Sequence, residues 1–200
     1  MRRIGLGGLI AATLVGGWLA GTSLAQTKDV FAFIPDGGRT LLSTVFASNP
    51  PQDAMRAILT GKHTRDEWLA DLRSRAAGIP ALKSLEDVQL TTLADYLAFN
   101  MPLSADKLPE GAAKVDWPAT LPQDGRDMAL KHCQSCHIIT VVITQDRTRE
   151  AWLGTMHKPS HIQIKLSQQE REALANYLVL NAGIPIDQVP EELRAGGATY

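Results

Sequence analysis

Five consecutive residues at positions 133–137, Cys-Gln-Ser-Cys-His, carry the most specific chemical signal in this sequence. On a helix, positions i, i+3 and i+4 share one face, so two thiols and one imidazole are presented together. The C-x-x-C-H spacing is typical of covalent c-type haem attachment. Cys133 and Cys136 would form thioethers with the two vinyl groups of one haem, and His137 would ligate the iron.

Two other uses of a C-x-x-C pair fit the sequence less well. A structural zinc site needs four ligands, and the sequence has neither a second Cys pair nor a His pair that begins about 12–15 residues after Cys136, as in a zinc finger. A thioredoxin-type redox pair lies beside a βαβ pattern, whereas the surroundings of Cys133 have helical periodicity. The chain contains no other cysteine. The predicted cofactor is therefore one haem c, bound covalently through Cys133 and Cys136.

The N-terminal segment indicates export. Two arginines at positions 2 and 3 precede an uncharged apolar run at 4–20, and residues 23–25, Ser-Leu-Ala, form a small-x-small cleavage site. This pattern predicts a signal peptide at 1–25, cleaved near Ala25, and a periplasmic location. An uncleaved anchor is the alternative, since the apolar run approaches the length of a membrane-spanning helix. A membrane partner is predicted only in that case.

Composition and charge exclude several classes of function. The formal net charge is −1, with 20 basic and 21 acidic residues, so no nucleic-acid partner is predicted. The length allows one domain or two small ones. The sequence has no recognisable Ser-His-Asp arrangement, carboxylate pair or glycine-rich phosphate loop. We therefore predict that the protein is not itself an enzyme.

An internal repeat is the second informative feature of the sequence. The aligned segments are 93–100 with 174–181, 64–69 with 148–153, and 38–39 with 125–126. Carried forward, the alignment places residues 46–50 opposite 133–137. Phe46 then stands for the first cysteine and Pro50 for His137, so the first copy lacks the haem site.

The periodicity predicts an all-α protein with three helical stretches in each copy. These stretches are 38–47, 64–77, 84–100, 124–138, 148–157 and 167–181. The predicted N-caps are Thr64, Ser84, Thr148 and Ser167, and Glu67 and Glu170 complete capping boxes. Residues 106–121, rich in Pro, Gly and Ala, are interpreted as the linker. The predicted domains are 26–110 and 111–200.

Residues 111–200 resemble a class I cytochrome c domain, and 26–110 resemble a degenerate, haemless copy of one. Gly125 lies eight residues before Cys133, and Leu174 and Tyr177 lie in the last helix, as in that family. The resemblance implies that glycine lets the first and last helices cross closely beneath an aromatic ring. Gly38, Leu93 and Tyr96 are the matching residues of the first copy.

The sixth iron ligand is left open by the sequence. Residues 148–167 are similar to small periplasmic cytochromes that serve oxidoreductases, in which a T-x-E-x-W helix provides a methionine seven residues past the tryptophan. Pro159 occupies that position here. Met156, one turn earlier on the same helix face, is the first candidate, and His161 and His157 are the alternatives. A His/Met pair would give a higher reduction potential than a bis-His pair.

These observations predict a periplasmic electron-transfer cytochrome. Its expected partners are a periplasmic redox enzyme, such as a dehydrogenase of which it is an electron acceptor or subunit, and an electron acceptor. The first alternative is a haem protein that binds a gas or peroxide at an open or weakly held sixth position. The second is a structural subunit in which the haem mainly assists folding.

Overall fold

The computed structural model describes residues 29–109 and 115–194, and these form helices without any strand. The all-α prediction is confirmed for this part of the chain. The helices before residue 109 are α1 Gly38–Ala47, α2 Gln52–Thr60, α3 Arg65–Arg75, α4 Pro80–Lys83 and α5 Asp87–Asn100. Those after residue 115 are α6 Trp117–Thr120, α7 Gly125–Met128, α8 Thr140–Ile143, α9 Arg149–Met156 and α10 Gln168–Asn181. Short 3₁₀ turns lie at Ala105–Lys107, Ile186–Gln188 and Glu191–Leu193.

Three of the four predicted N-caps are confirmed. The hydroxyls of Thr64, Thr148 and Ser167 accept hydrogen bonds from the backbone three residues on, at the starts of α3, α9 and α10. The prediction for Ser84 is wrong. Residues before it form α4, and the Ser84 hydroxyl donates to the Ala81 carbonyl at the end of that helix. Helix α5 therefore begins after Glu86.

The predicted helix at 124–138 is also corrected. Regular α7 ends at Met128, and a π-helical turn, Ala129–Cys133, follows before the backbone leaves the helix. Helices α2, α4 and α8 lie outside the predicted stretches. Helix α6 lies within the predicted linker, where Trp117 is buried.

Buried side chains form two separate apolar clusters. The first core is centred on α1, α3 and α5 and includes Phe46, Trp68 and Leu93. The second core is centred on α7, α9 and α10 and includes Met128 and Trp152. Helices α5 and α10 pack against each other and join the two halves.

The segments that precede α1 and α7 are exchanged between the two cores. Ile34, just before α1, packs in the second core, and Leu121, just before α7, packs in the first. The side chain of Arg39 donates to the Pro118 carbonyl, and that of Arg126 donates to the Phe31 carbonyl. Each half is therefore completed by residues that the sequence places next to the other half.

The helix crossings of the two halves have the same geometry. A Cβ added to Gly38 would overlap the side chain of Tyr96, and one added to Gly125 would overlap Tyr177 in the same way. Glycine is required at both positions because the backbone of the first helix meets an aromatic side chain of the last. This contact fixes the direction in which α7 runs towards Cys133.

The tyrosine hydroxyls reinforce the exchange. Tyr96 Oη donates to the Pro122 carbonyl at 2.9 Å, and Tyr177 Oη donates to the Pro35 carbonyl at 2.6 Å. Each tyrosine thus bonds the segment contributed by the opposite half.

No helix in the described ranges is both long and apolar enough to cross a membrane. The predicted signal peptide, 1–25, and its cleavage site lie outside the described residues.

Candidate haem site

The C-x-x-C-H residues form one turn at the end of the π-helical segment. The Cys133 carbonyl accepts the backbone N–H groups of Cys136 (3.3 Å) and His137 (3.0 Å). Both thiols and the imidazole therefore project from a single turn, although the regular helix has already ended. The π-helical turn ends at Cys133, and such turns are frequent at functional sites.

The two thiols differ in exposure. Cys136 is exposed, Cys133 is partly buried, and both are free. Burial raises the pKa of the Cys133 thiol to about 11, and the neighbouring Cys136 adds to the shift. Thioredoxin-type pairs instead hold an attacking thiol with a lowered pKa. The environment of Cys133 thus does not favour the thiol–disulfide alternative.

His137 is exposed on the rim of an open cavity of about 580 Å³. The apolar part of the rim is formed by Phe31, Ile138, Ile139 and Leu193, and Glu192 and Arg194 add one charge of each sign. Phe31 comes from the exchanged N-terminal segment. A flat apolar group is compatible with the apolar side chains of this rim.

The three candidate sixth ligands occupy different environments. Met156 is buried at the end of α9 and packs in the second core. His157 is exposed, and its Nε2 lies 3.0 Å from Gln168 Oε1. His161 is partly buried, and its ring centre lies 6.0 Å from that of His137, with the two ring planes inclined by 24°. Of the three, His161 is the residue whose ring pairs with the ring of His137.

Arg171 was missed at the sequence level. Its side chain is 5 % exposed and donates to the carbonyls of Met156 (2.8 Å), Ile164 (2.8 Å) and Ile162 (3.3 Å). It thereby ties α10 to the segment that carries all three ligand candidates. A signal was present, because a charged residue stands on the buried face of α10, where the first half has Leu90.

The first half has an apolar contact where the second half has its cysteine turn. Phe46, aligned with Cys133, is 2 % exposed and packs on Trp117, with ring centres 4.6 Å apart. Helix α2 then follows Pro51 and buries Met55 and Ile58. This side of the first core is closed by its own side chains.

A second cavity of about 350 Å³ lies between the two halves. Its lining includes Arg65, Asp95, Arg149 and Asn176, and burial raises the pKa of Asp95. Arg149 Nε donates to Asn176 Oδ1 at 2.8 Å. No cysteine or histidine lines this cavity, so its residues do not match the haem chemistry of the sequence motif.

The donor set is compatible with a haem, which needs fewer ligands from the protein than a bare metal ion does. Among the residues that the structure describes, no group of three or more His, Cys, Asp or Glu side chains is arranged to hold a metal ion. A haem brings four nitrogen ligands of its own and needs at most two from the protein. The paired imidazoles of His137 and His161, with two free thiols beside them, meet that smaller requirement.

Comparison with family models, with curated proteins and with solved structures finds no match to this chain.

Proposed function

We propose that the protein carries one haem c, bound through thioethers to Cys133 and Cys136, with His137 as the proximal iron ligand. The observation that carries the proposal is the single turn in which the Cys133 carbonyl accepts the N–H groups of Cys136 and His137. This turn presents the two thiols and one imidazole together, as haem attachment requires.

We further propose that the protein is a periplasmic electron carrier. When bound, the haem would supply one-electron redox chemistry. His137 and a second ligand, Met156 or its alternative His161, would hold the haem iron. The two thioethers at Cys133 and Cys136 would keep the haem from dissociating. The protein takes one electron from a reduced periplasmic dehydrogenase and gives it to an oxidised acceptor.

The two halves are proposed to be tandem cytochrome c-like units, 26–110 without haem and 111–200 with it. The matching contacts of Gly38 with Tyr96 and of Gly125 with Tyr177 support this proposal. Phe46 in place of the first cysteine accounts for the absence of haem attachment in the first unit. That unit completes the second core through its exchanged segment and offers a surface for a redox partner.

Export through a signal peptide at 1–25 is part of the same proposal. Covalent haem attachment needs reduced thiols on an exported chain, and the two cysteines of this sequence are both consumed by one haem. The periplasm is accordingly the proposed location.

Carbon monoxide binding distinguishes an electron carrier from a gas-binding protein. The experiment uses the haem-loaded protein, matured in the periplasm and reduced with dithionite. We expect a low-spin spectrum that carbon monoxide does not change, together with rapid electron exchange with a soluble one-electron acceptor. A high-spin spectrum that shifts at once with carbon monoxide would instead support gas or peroxide binding. Slow electron exchange with all acceptors tested would support a structural role for the haem.

A further inference from the structure

Two of the three candidate ligands, Met156 and His157, have contacts with residues other than His137. Met156 is 7 % exposed, its side chain packs in the second core, and its carbonyl is bonded to Arg171. His157 has its Nε2 at hydrogen-bond distance from Gln168, on the first turn of α10. In the described part of the chain, neither side chain has a contact that orients it towards His137.

His161 lies at the distance from His137 that is expected of a second ligand to one metal. With metal–nitrogen bonds near 2 Å, two imidazoles on opposite sides of one metal hold their ring centres about 6 Å apart. The observed separation between the ring centres of His137 and His161 is 6.0 Å. The ring planes are close to parallel, at 24°. Both side chains therefore already lie at the distance that a shared iron requires.

Ser160 orients the His161 ring. Its Oγ lies 3.0 Å from His161 Nδ1. With the proton on Nδ1, the ring donates to this hydroxyl and keeps the lone pair of Nε2 for a metal. Metal-ligating histidines usually donate their second ring N–H to an oxygen in this way.

Arg171 fixes the segment that carries His161. Its guanidinium donates to three backbone carbonyls, two of them at Ile162 and Ile164, directly after His161. No carboxylate of the described residues forms an ion pair with it. Burying a charged group without a counter-charge is costly unless it is well hydrogen-bonded. The hydrogen bonds of the Arg171 guanidinium thus hold the backbone around His161 in place.

The first half shows what replaces this arrangement where no haem is expected. Leu90 stands at the position aligned with Arg171 and is buried. The chain before it forms α4, and Ile79 and Leu82 fill the first core. The half that contains the cysteines and His161 thus has an arginine at this position, and the half without them has a leucine.

We propose that His161 is the distal haem ligand and that Arg171 is the positioning residue that holds it opposite His137. This inference rests on the proposed haem function and assigns the sixth ligand that the sequence left open between Met156, His161 and His157. It predicts a bis-His iron with a lower reduction potential than a His/Met iron.

The test compares five variants of the haem-loaded protein, with circular dichroism to verify folding. They are His161→Ala, Met156→Leu, Arg171→Gln, Arg171→Lys and, as the control, Arg147→Gln. Arg147 is a suitable control because it lies near the same segment but donates to Thr155 Oγ1 and stacks on Trp152. The measurements are the ferric spectrum, the reduction potential and the rate of carbon monoxide binding.

We expect the wild type to lack the far-red sulfur-to-iron band and Met156→Leu to keep the wild-type spectrum. His161→Ala should become high-spin and bind carbon monoxide. Arg171→Gln should raise the carbon monoxide binding rate roughly tenfold or more, the scale on which groups behind a metal ligand act. Arg171→Lys should give a smaller increase, since a lysine cannot span three carbonyls, and Arg147→Gln should leave the rate unchanged.

Two results would overturn the inference. One is a low-spin His161→Ala protein combined with a high-spin Met156→Leu protein, which would assign the ligand to Met156. The other is an Arg171→Gln protein that is folded and has unchanged spectrum, potential and carbon monoxide rate. Failure of the proposed haem function is a separate outcome, because then no variant and no wild-type protein would contain covalently bound haem.

Discussion

Gly37 and Asp124 are in direct contact, and the carboxylate of Asp124 caps two helices at once. Asp124 Oδ1 accepts the Asp127 N–H (3.0 Å) at the start of α7, and Oδ2 accepts the Arg39 N–H (2.8 Å) at the start of α1. A Cβ at Gly37 would overlap this carboxylate. Asp124 of the second half therefore caps the first helix of each half. The absence of a side chain at Gly37 in the first half leaves space for its carboxylate.

Replacing Gly37 by alanine should destabilise the protein markedly. The added methyl displaces the Asp124 carboxylate, and loss of an N-cap alone costs about 0.5–2 kcal/mol. Since two caps are disturbed, we expect a loss of roughly 1–4 kcal/mol in urea unfolding. The matched control is Gly154→Ala in α9, where an added Cβ meets nothing within 4 Å. That change should be neutral or stabilising, and equal losses in the two variants would contradict the shared cap.

The stability contributed by Asp124 should depend on pH. Burial raises the pKa of the Asp124 carboxyl to about 6, and the nearby Asp127 carboxylate adds to the shift. Its unfolded pKa is about 3.9, so the folded state binds the proton more tightly. The contribution is thus complete below about pH 4 and is lost as the pH rises to about 6.

The measurement is the free energy of unfolding of wild type minus that of Asp124→Asn, from pH 4 to 7. Asparagine does not titrate, so the difference isolates the carboxyl from other acids of the protein. We expect the difference to fall with increasing pH and to level off above about pH 6. A difference that rises with pH would show that the two N–H bonds outweigh burial.

Because the segments are exchanged, the stability of each half should depend on residues that are adjacent in sequence to the other half. Ile34→Ala removes a side chain of the second core, and Leu121→Ala removes one of the first. Truncations of this kind cost about 2–5 kcal/mol. Native-state hydrogen exchange should show reduced protection of α10 in Ile34→Ala and of α5 in Leu121→Ala. The reverse pattern, with each change confined to its neighbouring helix in sequence, would contradict the exchange.

The crossing of α7 and α10 should not tolerate a side chain at Gly125. An added Cβ at Gly125 overlaps Tyr177, so Gly125→Ala must separate α7 from α10 at a cost of about 1–3 kcal/mol or more. Gly78→Ala is the control, because the nearest atom to its added Cβ is the Arg75 carbonyl oxygen at 3.9 Å. Thermal unfolding should separate the two variants clearly, and a similar melting temperature for both would contradict the close crossing.

The sequence predicted the long helices and their caps because these depend on neighbouring residues. Thr64, Thr148 and Ser167 signal helix starts through local hydrogen bonds, and the structure contains them. Helix α2 was not predicted, because the repeat alignment placed this part of the chain opposite the segment after the cysteine turn, where no helix was expected. Ser84 was misjudged because its hydroxyl serves the end of α4 instead.

The exchange and the role of Arg171 depend on contacts between distant residues. Ile34 and Leu121 are single apolar residues in short segments, and nothing local indicates which core each one enters. Of the candidate site, Cys133, Cys136 and His137 were predicted from the sequence, with Met156 as the first candidate for the sixth ligand and His161 and His157 as alternatives. The pairing of two imidazoles and the three carbonyls bonded by Arg171 emerge only from the folded chain.

The most direct test of the proposed function is the intact mass of the protein purified from a periplasmic fraction, with and without a denaturing, haem-extracting wash. We predict a chain that begins near Gln26 and retains the mass of one haem after the wash. In Cys133→Ser/Cys136→Ser the added mass should be lost, with the same N-terminus. A wild-type chain that is processed and folded but carries no covalently bound haem would contradict the account.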